Sequence, residues 1–411
     1  MNKLNIAIIG SGISGLSCAW YLSDKFTVDL YEKNNYFGGH SNTHSFEVGG
    51  KEINIDTGFI VFNELNYPNL CDFFENLNVK SYESDMSFSV SMNEGKLEYS
   101  GKSVMSLFAQ KKNFFNVRFL RMLYEVIRFY KEAENDKLNF KDISISEYLE
   151  IKKYSNYFKH NHLYPMAASI WSSPINKITK YPFKEFVSFF SNHGLLRILD
   201  RPRWRTVHGG SKEYVKKVLN NKNIRSFKNV DVRIDRKNDK WKLIREKNDK
   251  HYDHVVLCVH SDQVRQVIPD MDYNHLNIFS GIKYNKNSVY LHSDERLMPN
   301  NKKAWASWNY LENKNQLSVT YWMNLLQDLK TNKNFFVSLN PRKTPDPTKI
   351  EKIVNYEHPV YDLQTFNSQK EVELIQGLNN VWFCGAYLGY GFHEDGIKSG
   401  KRVANEIIRR L

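Results

Sequence analysis

Six residues near the start of the chain, Gly10-Ser11-Gly12-Ile13-Ser14-Gly15, constrain its fold more than any others. They fit the spacing G-x-G-x-x-G, in which glycines permit a tight turn, a close approach of bare backbone to a pyrophosphate, and close helix–strand packing. Alone the spacing says little. Here residues 4–9 (LNIAII) read as a buried parallel strand, residues 16–23 as a helix with Leu16, Ala19 and Trp20 on one face, and residues 28–32 as a second strand. Strand, turn, helix and strand in about 30 residues make a βαβ unit, which requires a right-handed crossover and a parallel sheet. Glu32 stands 22 residues after Gly10, where a carboxylate meets a ribose hydroxyl pair.

The continuation Glu32-Lys33-Asn34-Asn35-Tyr36-Phe37-Gly38-Gly39-His40 adds a second glycine pair. A nicotinamide site needs no second bare loop, whereas FAD is long enough for the chain to run beside its diphosphate and ribityl portion, so FAD is the expected cofactor. Asp56-Thr57-Gly58 closes this first piece, with a plain strand-end turn as the competing reading. Near the end, residues 381–387 (VWFCGAY) read as a strand and a glycine turn, setting Gly385 and Ala386 beside the cofactor. Residues 389–396 (GYGFHEDG) lead into a helix expected from about Ile397. Its free N–H groups around Asp395, Gly396 and Ile397 would stabilise negative charge on a reduced flavin. The competing reading is a C-terminal helix packed on the sheet and capped by Asp395.

Between these pieces, residues 230–244 alternate as a hairpin around Lys237-Asn238-Asp239, and residues 254–259 form another buried strand. Residues 75–200 and 276–375 are aromatic-rich with helix-like periodicity and lack such turns. The expected fold is α/β: a discontinuous Rossmann-like FAD domain from residues 1–70, 200–275 and 376–411, with an inserted α+β substrate domain from residues 71–199 and 276–375.

With 41% hydrophobic and 14% aromatic residues the chain buries a large core, and no apolar run approaches the ~18 residues of a membrane span. The N-terminus has no basic segment followed by an apolar one, so a cytoplasmic protein is expected. Cys18, Cys71, Cys258 and Cys384 are far apart in the chain, form no Cys-x-x-Cys pair, and read as reduced and inert; no metal site is expected. The net charge of +13 is spread over nearly every segment and includes no zinc-finger spacing or Lys/Arg-only block, which argues against nucleic acid. One basic stretch stands apart. In residues 114–130, Phe119, Met122, Leu123, Val126, Ile127 and Tyr130 share a helical face opposite Arg118, Arg121 and Arg128, with Lys111 and Lys112 upstream. Such a helix suits peripheral contact with an anionic membrane on its inner face, or core packing with Phe114 and Phe115 left exposed.

The segments 10–15, Glu32 with Gly38-Gly39, and 385–400 resemble the FAD-binding segments of the flavin amine oxidase, protoporphyrinogen oxidase and carotenoid desaturase superfamily. Residues 56–63 (DTGFIVFN), 321–327 (YWMNLLQ) and 389–396 resemble a branch of flavoproteins often encoded near cyclopropane-fatty-acid-synthase-type methyltransferases. The resemblance implies that residues 230–232, Val232 among them, lie against adenine, and that His208-Gly209-Gly210 matches a glycine pair preceding a helix. It also shows a departure: amine oxidases usually follow the second glycine pair with arginine, where this chain has His40. The lysine that many relatives set near flavin N5 has no evident counterpart.

For the chemistry, His393 and Glu394 offer an imidazole–carboxylate pair tuned near neutral pH, or simply brace the helix start. Tyr390 joins them as a catalytic candidate; Tyr387 and Tyr390 wall a substrate or pack in the core. Trp171 (followed by Ser172-Ser173-Pro174), Trp305, Trp308, Tyr310, Tyr321 and Trp322 suit an apolar substrate lining, with Asn63 and Asn324 as orienting hydrogen-bond partners. The expected activity is FAD-dependent oxidation of a hydrophobic substrate, first a lipid or fatty acyl chain. The alternatives are an amine oxidase or carotenoid-type desaturase, a redox-neutral double-bond isomerase, and a flavin-binding protein without turnover.

Overall fold

The structure, a computed structural model, describes every residue except 1–3, 141, 172–173, 193, 198–201, 238–239, 245–249, 314–315 and 411. Five short strands with apolar side chains on both faces pair in parallel: Ile224–Phe227, Val28–Tyr31, Ile6–Ile9, His254–Leu257 and Val381–Phe383. In order of sequence this is 3-2-1-4-5. The order reverses between Ile6–Ile9 and His254–Leu257, and in open parallel sheets ligands bind outside the carboxyl ends of the strands at such a switch point. Gly10 and Cys258 lie side by side there: a Cβ on Gly10 would stand 2.4 Å from the Cys258 carbonyl oxygen.

One face of this sheet is covered by the helices Ile13–Ser23 and His393–Arg409. Small residues let them touch. Added Cβ atoms on Gly396 and Gly400, one turn apart, would meet Ile13 Cγ2 at 2.6 Å and the Ser14 carbonyl oxygen at 2.4 Å. The other face carries the three-stranded antiparallel ribbon Ile234–Lys237, Lys240–Leu243 and His251–Tyr252, packed through Ile234, Trp241, Leu243 and Tyr252. The strands pair with Lys237 opposite Lys240; Asn238 and Asp239 lie outside the described residues.

The second region combines a seven-stranded sheet with a helical layer. Its strands run in the order Ile350–Pro359, Tyr284–His292, Phe336–Leu339, Gln316–Trp322, Trp308–Asn313, Phe88–Met92, Leu97–Ser100. Residues 276–375, whose periodicity reads as helical, therefore supply five of the seven strands, and their longer helices are confined to the two ends, Tyr273–Ser280 and Leu363–Leu374. Their aromatics pair across strands, as Trp308 does with Tyr321 at 4.7 Å. Residues 104–192 do form helices, including Val117–Asp136, Ile145–Ile151, Tyr164–Trp171 and Phe183–Asn192, around a core of Phe119, Phe129, Tyr148, Phe158, Phe183 and Phe186. Burying each such ring is worth roughly 1.5–3 kcal/mol.

Packing shifts the expected domain boundaries. The boundary at residue 70 falls inside helix Pro68–Asn76, whose Leu70, Phe73 and Phe74 belong to the core of the parallel sheet. Helix Leu363–Leu374 likewise sends Val372 into the core beside Val381 and Phe383. In the opposite sense, hairpin Thr43–Val48 and Lys51–Asp56 sends Ile53 and Ile55 into the core of the seven-stranded sheet.

Candidate dinucleotide and substrate site

A single cavity of about 1320 Å³ runs from the switch point of the parallel sheet into the second region. It exceeds the 300–1,000 Å³ usual for one drug-sized ligand. One end is backbone and polar. Gly10, Ser11, Gly12, Ile13 and Ser14 line it, and helix Ile13–Ser23 starts there with Gly12 as N-cap and no side-chain oxygen capping its N–H groups. Such an open helix start binds anions. Gly12 faces open space, since a Cβ there would have no neighbour within 4 Å, whereas one on Gly15 would stand 1.9 Å from the Gly10 carbonyl oxygen. Thus Gly12 presents backbone to the cavity and Gly15 closes the turn behind it.

Glu32 lines the same end and is held rigidly. Ser11 donates its N–H (3.1 Å) and hydroxyl (2.6 Å) to Oε2, and Asn34 donates its N–H (2.9 Å) and side-chain amide (2.8 Å) to Oε1. Lys33 and Val232 complete this wall. Gly38 sits behind it, its N–H donating to the Ser11 carbonyl at 3.1 Å, and thereby presents Gly39 and His40 to the cavity. Thr57 and Gly58 follow, with Asp56 beneath them as a buried hub. Its carboxylate accepts the N–H and hydroxyl of Ser211 and the amide of Gln327, drawing three distant segments together. Gly385 and Ala386 line the middle.

Three histidines meet at this polar end, of which the sequence reading singled out only His40. His40 stacks on Tyr356 at 4.7 Å, with His358 at 5.1 Å and His260 at 6.4 Å. All three line the cavity. Burial, with the nearby His260, holds His40 down to about 4; burial, with Lys33 and His358, holds His260 to about 4; burial, with His40, holds His358 to about 3. His40 Nε2 is buried with no hydrogen-bond partner among the described residues, and His260 Nδ1 lies 3.8 Å from the Glu357 carboxylate. A weak signal existed: His260 lies three residues beyond the strand His254–Leu257 at the switch point, and His358 alternates with Tyr356 on one strand face.

The other end is aromatic. Trp171, stacked on Tyr181 at 4.6 Å, lines it with Met166, Ile170, Phe189 and Phe392, and Tyr387 and Tyr390 stand at its junction with the polar end. Burial raises the phenols of Tyr387 and Tyr390 above the ordinary range, so both are neutral. Ser172 and Ser173 lie outside the described residues.

Several expected site residues do other work. Helix His393–Arg409 begins four residues before Ile397, because the Asp395 carboxylate accepts the N–H groups of Tyr390 and Phe392 at 3.0 Å each and caps it. Asp395, Gly396 and Ile397 consequently lie off the cavity wall, with Ile397 in the core against the first helix. Glu394 is not paired with His393. Its carboxylate accepts Asn69 N–H (3.1 Å), Asn69 Nδ2 (2.7 Å) and Leu70 N–H (3.0 Å), capping helix Pro68–Asn76. His393 does line the cavity, stacked on Phe59 at 3.7 Å, with Nε2 within 2.9 Å of Ser41 Oγ and 3.3 Å of Tyr214 OH. Burial holds it well below the ordinary imidazole range rather than near neutrality, so the ring is uncharged.

Asn324 braces a loop, donating to the Lys333 carbonyl (2.8 Å) and accepting Phe335 N–H (2.7 Å). Trp322 packs edge-on against Trp305 and donates to Asn334 at 3.1 Å. Asn63 is buried and accepts Asn66 N–H at 2.8 Å. None of these three lines the cavity. Cys18, Cys258 and Cys384, remote in sequence, converge behind the glycine turn, where the Cys384 thiol donates to the Ser399 carbonyl at 3.7 Å.

Fold and site together define a Rossmann-type dinucleotide-binding architecture joined to a second sheet-and-helix region across one shared cavity. Residues 8–77 match the family described as NAD(P)-binding Rossmann-like domain. The whole chain shares its fold with solved structures. One, assigned as a protoporphyrinogen oxidase from Exiguobacterium sp. 255-15, is 14% identical, with 100% of both chains covered and a TM-score of 0.69. A fatty acid isomerase from P. acnes that produces CLA is 15% identical, with 99% of each chain covered and a TM-score of 0.68. Cyclohexylamine oxidase from Brevibacterium oxydans IH-35A is 12% identical, with 100% of this chain and 99% of that one covered and a TM-score of 0.66. At this identity the likeness is one of fold. Comparison with curated protein sequences gives no match.

Proposed function

We propose that this chain is an FAD-dependent oxidoreductase that takes a hydride from an apolar substrate, first a lipid or fatty acyl chain. The observation that carries the reading is the continuity of one cavity from an anion-accepting glycine turn to a wall of uncharged aromatics. The polar end fits the dinucleotide. Gly12 leaves room for a diphosphate, the N–H groups of the first helix point to it, and the unpartnered Nε2 of His40 offers a contact that the protein itself does not use. Val232 would lie against adenine, Glu32 and Lys33 along the ribose, Gly39, His40, Thr57 and Gly58 along the middle, and Gly385 and Ala386 beside the ring.

FAD, when bound, supplies a hydride acceptor at N5. The chain's residues orient, desolvate and exclude water. Trp171, Phe189 and Phe392 hold a substrate by shape and apolar contact, and neutral Tyr387 and Tyr390 border the reacting region without charge. His393, fixed by Ser41 and Tyr214 and kept uncharged, is a positioning residue at the junction rather than a reservoir of protons. Met166 and Ile170 extend the wall with further uncharged surface, which suits an acyl chain, while Glu83, Asp85 and Arg203 line other parts of the cavity.

A second reading rests on the shared fold with a fatty acid isomerase: the same cavity suits a redox-neutral shift of a double bond. Purification followed by an absorbance spectrum and mass analysis of co-purified lipid tests both. A flavin spectrum bleached anaerobically by the lipid supports oxidation. Product formed without net bleaching or oxygen consumption supports isomerisation. A flavin-loaded chain that neither carries nor transforms lipid contradicts the substrate assignment.

A further inference from the structure

Seventeen large hydrophobic side chains are exposed among the described residues, and eight of them fall within residues 104–127: Val104, Met105, Phe114, Phe115, Val117, Leu120, Tyr124 and Ile127. Helix Val117–Asp136 explains half of this set. Its inward stripe, Phe119, Met122, Phe129, Tyr130 and Ala133, is spent in the core. A second stripe, Val117, Leu120, Tyr124 and Ile127, recurs at helical spacing and points outward, so Ile127 belongs to the exposed face and not to the buried one. Val117 is 78% exposed and Phe115, at the turn before the helix, 89%. The Phe108 and Phe114 rings stack at 3.9 Å, which sets the short helix Val104–Leu107 beside this turn.

Charge decides what covers the patch. Between Glu98 and Glu125 the sequence contains no acidic residue but has Lys102, Lys111, Lys112, Arg118 and Arg121, all exposed. The two flanking acids are buried and engaged, Glu98 by the N–H groups of Asn300 and Asn301, Glu125 by Ser155 and Arg121. Outward apolar side chains that residues 99–124 interleave with cations alone match an anionic bilayer: rings and aliphatic chains enter the headgroup boundary and ammonium and guanidinium groups meet lipid phosphates. The patch also adjoins the cavity, since Gly101 and Lys102 are exposed, line it, and directly precede the helix Val104–Leu107.

We propose that residues 104–127 form a platform that docks the protein on an anionic phospholipid surface, with Phe115 at its tip and the cavity mouth at Gly101 and Lys102 beside it. Its purpose, delivery of a lipid from the bilayer, rests on the substrate reading above; the docking itself does not. The full chain should sediment with phosphatidylcholine vesicles containing phosphatidylglycerol, bind pure phosphatidylcholine far more weakly, and lose binding at high salt. Phe115→Asp should weaken partitioning by about tenfold or more through lost apolar insertion, and Lys111→Glu with Lys112→Glu by about tenfold or more. Both variants should keep the wild-type circular dichroism and melting temperature, since the altered side chains are exposed. Wild-type chain left in the supernatant with anionic vesicles, or variants that bind as the wild type does, would overturn the proposal. So would a concentration-dependent dimer split by Phe115→Asp, which assigns the patch to a second copy. None of these readouts involves cofactor or turnover, so their failure leaves the proposed chemistry standing.

Discussion

The two ends of the cavity are made of different materials. The polar end is backbone: bare glycines, helix N–H groups and a carboxylate immobilised by four hydrogen bonds. The aromatic end is side chain: tryptophan, phenylalanine and tyrosine held by one another's rings. A backbone site requires particular residues at fixed spacings, because an added Cβ either blocks the ligand or breaks the turn. A side-chain site requires only bulk and apolarity, which many sequences supply.

The largest effect should come from the turn. Gly15→Val forces a Cβ to 1.9 Å from the Gly10 carbonyl oxygen, and unfolding or complete loss of cofactor is expected, visible in a thermal melt. Gly12→Ala is its counterpart. Its Cβ meets no protein atom within 4 Å, so the melting temperature of the cofactor-free chain should not move while FAD affinity falls by about tenfold or more, one poorly accommodated contact at the diphosphate costing at least ~1.4 kcal/mol. Equal losses of stability in both variants would erase the distinction between a packing glycine and a ligand-facing one.

Next in size is a pH dependence to which the polar end contributes, beside other buried histidines such as His292 and His393. His40, His260 and His358 have folded pKa values of about 4, 4 and 3 against an ordinary 6.5. The unfolded chain therefore binds more protons over this window, so cofactor-free stability is full above pH 6.5 and is lost as pH falls toward 4. A bound diphosphate stabilises the imidazolium forms and opposes the loss. Melts of the free and FAD-loaded chain from pH 7 to 5 should diverge, and parallel curves would show that the histidines do not face the phosphates.

Smaller effects test the reassigned residues. Glu394→Ala removes the acceptor for three hydrogen bonds at the start of helix Pro68–Asn76 and should cost about 1–3 kcal/mol of stability while flavin reduction by substrate persists. Abolished reduction in a folded Glu394→Ala chain would restore it as a catalytic group. Trp322→Phe, away from the cavity, should leave turnover unchanged and cost at most about 1 kcal/mol in the Trp305 contact and the Asn334 hydrogen bond.

The same contrast explains what was legible in the sequence. The glycine turn, Glu32, the glycine pair and the C-terminal turn are local patterns that dictate backbone, and the structure brings them to one cavity, the first three at its polar end and the last at its middle. The histidine trio was hidden because His260 and His358 come from separate strands that only the fold makes neighbours. Glu394 misled because adjacency to His393 in sequence says nothing about direction: successive helical residues point about 100° apart, and Glu394 turns to another helix. Trp322 and Asn324 suit a site by residue type alone, and the helix-like periodicity of residues 276–375 is one that cross-strand aromatic pairs imitate. Helix Val117–Asp136 was read as having one apolar face, yet it has two, and only burial separates them.

The central claim is that the glycine-turn end of the cavity holds FAD. Purified chain should show the visible absorbance of a bound flavin, or acquire it with stoichiometric uptake of added FAD, and Gly12→Ala should lose it while remaining folded. Folded wild-type chain that is colourless and takes up no FAD would contradict the account.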